Sequence, residues 1–253
     1  MEKQITEKQT DLQTIKTLAK GLLDIAVLET EYSPMIVSHP FTKSGLIIIP
    51  YDDDYFQLDI TKNKQDLEKW KAVMSKQIDS CNDVYNIYHI LNDAYRLMFF
   101  DYIANHLSKE DFSVLLGEAW VGSEYANDDA NVTKKQMLAH FKNADKTAMM
   151  TESELETFED LDDTMIIYRG VSSKQRTNAE ALSWTISFGK AKWFAERWGK
   201  GHIYSAVVDK KDVYAYFDRK DEDEVVVDFS KLKNVKIVNG PQRLPAKTAP
   251  SME

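Results

Sequence analysis

Cysteine occurs once in the 253 residues, as Cys81, which excludes a disulfide framework and a thiolate zinc site within one chain. Glycine is scarce: there are nine, with no GxGxxG and no P-loop, which disfavours a Rossmann-type phosphate cradle. Positive charge is in deficit. Lys and Arg number 32 against 41 Asp and Glu, a net charge of -9. Phosphate surfaces repel such a chain, so direct binding to nucleic acid or to an anionic membrane is not expected. A basic protein partner, or mimicry of nucleic acid, stays open. No apolar run approaches bilayer length, and the start MEKQITEKQT is too polar for a secretory signal, so a cytoplasmic protein is expected. The five histidines form no close pair and no HExxH, and Asp52-Asp53-Asp54 lacks the glycine and distal Glu of a calcium loop; no metal is expected.

What is present reads as globular: 43% apolar residues and 11% aromatics, enough for one large domain or two small ones. Residues 5–29 carry a helical stripe through Leu12, Ile15, Leu22, Leu23 and Ala26. Residues 33–60 turn to short β-prone runs punctuated by Pro34, Pro40, Gly45 and Pro50. A long helical region follows, with Val84, Ile87, Leu91, Tyr95, Met98 and Tyr102 on one face. Ser108, Thr133 with Gln136, and Thr151 with Glu154 are helix-capping signals.

The texture changes near residue 164. Strands are expected at 165–168, 182–186, 203–208, 213–217, 224–228 and 235–238, and a helix over 187–198 with Phe188, Ala191, Phe194 and Ala195 on one side. Trp193 and Trp198 are expected to be packing residues. The expected organisation is α+β: a mostly helical region over 1–150, a β-rich domain over 151–240, and a flexible tail over 241–253.

Three short stretches carry chemistry. In Glu222-Asp223-Glu224 the strand period puts Glu222 and Glu224 on one face, while Val225 and Val227 point into the core of a half-buried strand. A carboxylate there can stabilise positive charge on a sugar, and a second can take a proton from a nucleophile. An acidic run such as 221–224 is more often a solvated turn. In Tyr168-Arg169-Gly170, the arginine fork suits phosphate or ribose oxygens, and the glycine admits a close approach to the backbone. Taken alone, an arginine at a strand end is more often paired to a surface carboxylate. Ser183 and Thr185 flank Trp184 and share a face; they can bridge strands at a site or simply belong to a half-exposed strand.

In their order and spacing, Tyr168-Arg169-Gly170, Leu182-Ser183-Trp184-Thr185-Ile186 and Glu222-Asp223-Glu224-Val225 resemble the arginine–serine–glutamate class of mono-ADP-ribosyltransferases. The resemblance covers about residues 160–240. It implies a split β-sandwich and NAD as a substrate, with no metal. Arg169 would anchor the phosphate and ribose of NAD, and the Gly170 backbone would touch the nicotinamide amide. Ser183 and Thr185 would organise the site. Glu224 would be the essential carboxylate, and Glu222 holds the position that goes with arginine as acceptor.

The loop 218–221 would face the target, with Tyr216 or Phe217 as an aromatic contact. Two departures stand out: Trp184 is bulky for its position, and Asp221 and Asp223 blur which acidic pair matters. The implied activity is transfer of ADP-ribose to a protein side chain, with residues 1–150 recognising the target or bracing the catalytic domain. The resemblance suits an effector acting in the cytoplasm of the producing or infected cell, from a phage or as a bacterial toxin. NAD glycohydrolysis, or a non-catalytic acidic protein that blocks a basic partner, are the alternatives.

Overall fold

A computed structural model describes residues 8–51, 54–124, 126–173 and 179–244. The expected tail beyond residue 244, the first seven residues, and Asp52 with Asp53 lie outside the described residues. The chain divides into two compact units, 1–123 and 124–253.

The first unit is mostly helical: α1 (Leu12–Gly21), α2 (Lys64–Ser80), α3 (Val84–His89), α4 (Arg96–Ile103) and α5 (Lys109–Gly122). Between α1 and α2 lie two small antiparallel pairs, β1 (Leu28–Glu29) with β2 (Val37–Ser38), and β3 (Leu46–Tyr51) with β4 (Asp54–Asp59). The first helix is shorter than its apolar stripe, ending in a 3-10 turn over Leu22–Asp24. Ala26 is exposed beyond it.

The face running from Val84 to Tyr102 is not one helix. It breaks at Asn92, whose backbone N–H donates to the Pro40 carbonyl (2.7 Å) and whose side chain accepts from the Ala94 N–H (3.3 Å). Tyr102 ends up half exposed to water, at 51%. Ser108 caps α5 as expected, accepting from the Asp111 N–H. Ile15, Trp70, Ile87, Phe100 and Leu116 are among the buried core residues.

His39 is fully buried in this unit, edge-on to Trp70 at 4.9 Å, and its Nδ1 accepts from the Phe41 N–H (3.1 Å). Burial outweighs the neighbouring carbonyls of Ile25 and Leu23 and pulls the imidazole from 6.5 down to about 4.

The second unit begins earlier than the expected boundary at 150. Helices α6 (Lys134–Asn143), α7 (Lys146–Met149) and α8 (Glu152–Asp160) belong to it because they are tied to its strands. Lys146 Nζ donates to the Val213 carbonyl (3.2 Å), and the Tyr216 N–H reaches the Met150 sulfur (3.3 Å). Both capping boxes form, Thr133 with Gln136 and Thr151 with Glu154.

The strands are β5 (Thr164–Val171), β6 (Ser183–Thr185), β7 (His202–Asp209), β8 (Val213–Phe217), β9 (Glu224–Val227) and β10 (Lys233–Val238), with α9 (Phe188–Glu196) after β6. They form one six-stranded antiparallel sheet in the order β10-β7-β5-β6-β9-β8, so the fold is α+β. The sheet has a seam. β5 pairs with β7 along its whole length, yet meets β6 only at Tyr168 and Thr185.

Helix α9 lies on β5 through its alanines, Ala191 and Ala195, both buried. A Cβ on Gly170 would sit 1.8 Å from the Ala191 carbonyl oxygen and 2.7 Å from the Ala195 nitrogen. Gly170 is therefore glycine because a helix backbone occupies its side-chain position, not to leave that position open for a ligand.

Two outcomes are expected. Gly170→Ala should cost about 2–4 kcal/mol, since the obstructing atoms are backbone, and urea unfolding measures it. For His39, the depressed folded value means that stability is intact above about pH 6.5 and drains away as pH falls toward 4. The loss is on the order of 3 kcal/mol. Urea midpoints of His39→Gln between pH 7 and 4 should lack that part of the slope.

Candidate active site

The seam brings the three motifs together. β5, β6 and β9 are neighbours in the sheet although their residues lie far apart in the chain. Thr185 sits opposite Tyr168 on one side and Glu224 on the other, and Phe217 lies opposite Glu224 in turn. Ser183 is opposite Val226.

One residue past the Tyr168–Thr185 pair the ladder stops, and Arg169 enters where the half-sheets part. Its Nη1 donates to the Ser183 carbonyl at 2.7 Å. Burial draws the Arg169 guanidinium down to about 10, against the charges of Asp128 and Glu224, which hold it up. It remains a cation at neutral pH.

The strand β6 is braced from outside the sheet by a residue that sequence reasoning missed. Asn127 Oδ1 accepts from the N–H groups of Leu182 (2.7 Å) and Ser183 (3.3 Å). No pattern in the sequence points to it, because its role comes from a contact across some 55 residues of chain. Trp184 turns away from Ser183 and Thr185 into the interior, where its Nε1 donates to the Ala181 carbonyl (3.0 Å). The bulk at that position therefore does not intrude between the two hydroxyl residues.

Thr185 is buried and its hydroxyl is fully used. It donates to the Glu222 carbonyl (2.8 Å) and accepts from the Ser187 N–H (3.0 Å). This joins the acidic loop to the start of α9, where Ser187 accepts from the Lys190 N–H.

Strand β9 is buried on both faces, not half-buried as its alternation suggests: Val225, Val226 and Val227 are all at 0% exposure and Glu224 at 9%. Strands β6 and β8 occupy its two edges, and its side chains on both faces are shielded from water as well. Glu224 thus begins a buried strand, within electrostatic reach of Arg169.

The loop before Glu224 separates its four acids. Asp221 and Asp223 both adopt left-handed backbone, with φ of 55° and 45°. Asp218, Asp221 and Asp223 each pair with Lys190 Nζ, at 3.6, 2.8 and 3.0 Å. Tyr216 also donates its hydroxyl to Asp223 (2.9 Å).

Glu222 is different. Its carbonyl is held by Thr185, but its half-buried carboxylate makes no hydrogen bond or ion pair to any described residue. Burial raises its pKa above the ordinary glutamate value, opposed by the charges of Lys220, Arg197 and Lys190. Asp221 and Asp223 are thus engaged on Lys190, which leaves Glu222 as the acid of the loop that is not drawn onto α9.

Glu154 anchors the other end of the loop. It is 3% exposed, accepts from the Asp218 N–H (3.0 Å) and binds Arg219 through Nε and Nη2 (3.2 and 3.1 Å). The capping box showed its helix role, but nothing in the sequence showed this second one.

Two aromatic expectations are corrected. Tyr216 and Phe217 are buried, at 5% and 2%, and cannot meet a target; they are held on β8 against β9. Trp193 and Trp198 are not packing residues: they are 60% and 57% exposed, because α9 buries its alanine side against Gly170. Arg197 stacks with both rings, 5.5 and 5.8 Å from their centroids, and its charge reaches Glu222.

Comparison of the chain with protein-family models, curated proteins and solved structures found no match in any of the three. Among the described residues, no group of three or more His, Cys, Asp or Glu could hold a metal ion, and no helix is long and apolar enough to cross a membrane.

Replacing Thr185 by Val keeps a β-branched side chain on the strand but deletes both hydroxyl bonds. It should lower stability by about 1–2 kcal/mol in urea unfolding. Faster amide exchange at Ser187 should accompany that loss.

Proposed function

We propose that the protein is an NAD-dependent mono-ADP-ribosyltransferase that moves ADP-ribose to a protein side chain, with arginine as the acceptor. The observation that carries this reading is the convergence at the seam. A desolvated arginine on β5, a strand β6 with two hydroxyl residues and a buried carboxylate, Glu224, at the start of β9 lie on successive strands, with Glu222 on the loop that enters β9.

The chemistry runs as a dissociative substitution. Arg169, as a planar fork, binds the diphosphate side of NAD. The bond between C1′ of the ribose and the nicotinamide nitrogen breaks, its electron pair leaves with neutral nicotinamide, and the sugar becomes an oxocarbenium ion. Glu224, buried and negatively charged, stabilises that cation where water screens little. An acceptor guanidinium nitrogen then bonds to C1′ and its proton passes to Glu222. Burial of Glu222 favours its protonated form and so makes its carboxylate a better base than a solvated one.

Labelled NAD, a cell lysate and the purified protein provide the test. Wild type should label a protein band and release nicotinamide. Glu224→Gln should lower both by a hundredfold or more, on the order expected for removing a transition-state charge. Glu222→Gln should lower labelling far more than nicotinamide release. Release without labelling, insensitive to Glu222, would indicate a glycohydrolase. An unaltered biological effect in Glu224→Gln, with no NAD consumed, would indicate an acidic binding protein.

A further inference from the structure

The loop over 218–223 carries four acids with a lysine-bearing helix beside it, and of these only Glu222 has no hydrogen bond or ion pair from its carboxylate to a described residue. Lys190 projects from the first turn of α9 and is 23% exposed at its side chain. It meets Asp218, Asp221 and Asp223 together. The three contacts are unequal. The Asp221 carboxylate is 92% exposed, so its pair with Lys190 is screened by water and contributes little. Asp223, at 27%, is the shielded partner, and Asp218, at 42%, lies between them.

Asp223 is also the residue most constrained by its backbone. Its φ is 45°, its N–H donates to Asp218 Oδ1 (3.1 Å), and its carbonyl accepts from the Ile186 N–H (3.1 Å). Its carboxylate takes Tyr216 and Lys190 at once. The left-handed turns at Asp221 and Asp223 flank Glu222 on both sides, so whatever fixes them fixes the direction in which Glu222 leaves the chain.

We propose that Lys190 is a positioning residue for acceptor use: by drawing Asp223 and Asp218 onto α9 it withdraws them from the site and holds Glu222 as the carboxylate that meets the acceptor. This rests on the transferase reading. Lys190 does not touch the reacting atoms; it acts through the loop. Burial pulls its ammonium down, but the hydrogen bonds to Asp221 and Asp223 and the charges of Asp223 and Asp218 outweigh that, so it stays charged. The charged groups that face Glu222 are Lys220 from the loop itself and Arg197 and Lys190 from α9 and its end. Removing Lys190 takes away one of three cations and frees three aspartates nearby. Both changes raise the pKa of Glu222, which moves the acid limb of transfer to higher pH.

The experiment compares wild type, Lys190→Met and Lys190→Arg with NAD and agmatine, a small guanidino acceptor. Product ADP-ribosyl-agmatine, free ADP-ribose and nicotinamide are quantified from pH 5 to 9. Lys190→Met should lower the ratio of transfer to hydrolysis about tenfold or more, the scale on which a mispositioned base acts. Its acid limb should move upward, and amide exchange over 218–224 should rise. Lys190→Arg should restore most of the ratio.

An unchanged ratio and acid limb in Lys190→Met overturn the proposal while leaving the transferase intact. A parallel fall of both reactions, with a lowered melting temperature and no shift of the limb, also overturns it, because that is a purely structural effect. A wild type that releases nicotinamide but modifies no agmatine overturns it too. A wild type that releases no nicotinamide overturns the transferase reading itself.

Discussion

The single pairing of Tyr168 with Thr185 is the constraint on which the candidate site depends. Elsewhere in the sheet, neighbouring strands meet at several positions; here two half-sheets meet at one. A ladder that continued would set Gly170 opposite Ser183 and use the Ser183 strand position for backbone pairing. Instead the Ser183 carbonyl accepts from a guanidinium, so the end of the ladder leaves no unpaired acceptor at that point. The helix on Gly170 holds β5 on one side, and Asn127 holds β6 on the other. Both strands are thus held by contacts outside the ladder at the point where it ends.

The electrostatics follow the same logic of tying down most groups and leaving one loose. An acidic run of four residues in a chain of net charge -9 repels itself. Lys190 and Tyr216 absorb that repulsion for Asp221 and Asp223, and Thr185 holds Glu222 only through its main chain. Glu154 spends a buried carboxylate on the same loop. Burial pushes it up, yet the Thr151 and Asp218 amides and Arg219 bring it below the ordinary glutamate value, so it stays ionised.

Much of this was legible from local pattern. The three helix caps at Ser108, Thr133 and Thr151 are short-range devices, and all three form. The six strands of the second unit follow from β-prone runs between turn residues, and the order of the motifs along the chain follows from the sequence itself. What escaped was set by partners distant in sequence. That β9 is buried on both faces depends on what packs over the sheet, which alternation along the strand cannot register. The exposure of Trp193 and Trp198 depends on which side of a nine-residue helix meets Gly170, and large aromatics bias that judgement toward the interior. The split among four acids turned on one lysine some thirty residues earlier, a contact no spacing rule contains. The unit boundary at 123 was missed because helices α6 to α8 resemble those before them and differ only in what they touch.

The strand order has a consequence for how the molecule is made. The chain emerges from the ribosome with Arg169 first, then Ser183 and Thr185, and the glutamates only after some forty further residues. β8 is an edge strand and β9 an inner one, so β8 joins the sheet only through β9. No shorter nascent chain contains both the cation and the carboxylates. The carboxylates follow Arg169 by more than fifty residues, so for that length of synthesis the cation exists without the charges it is to work beside.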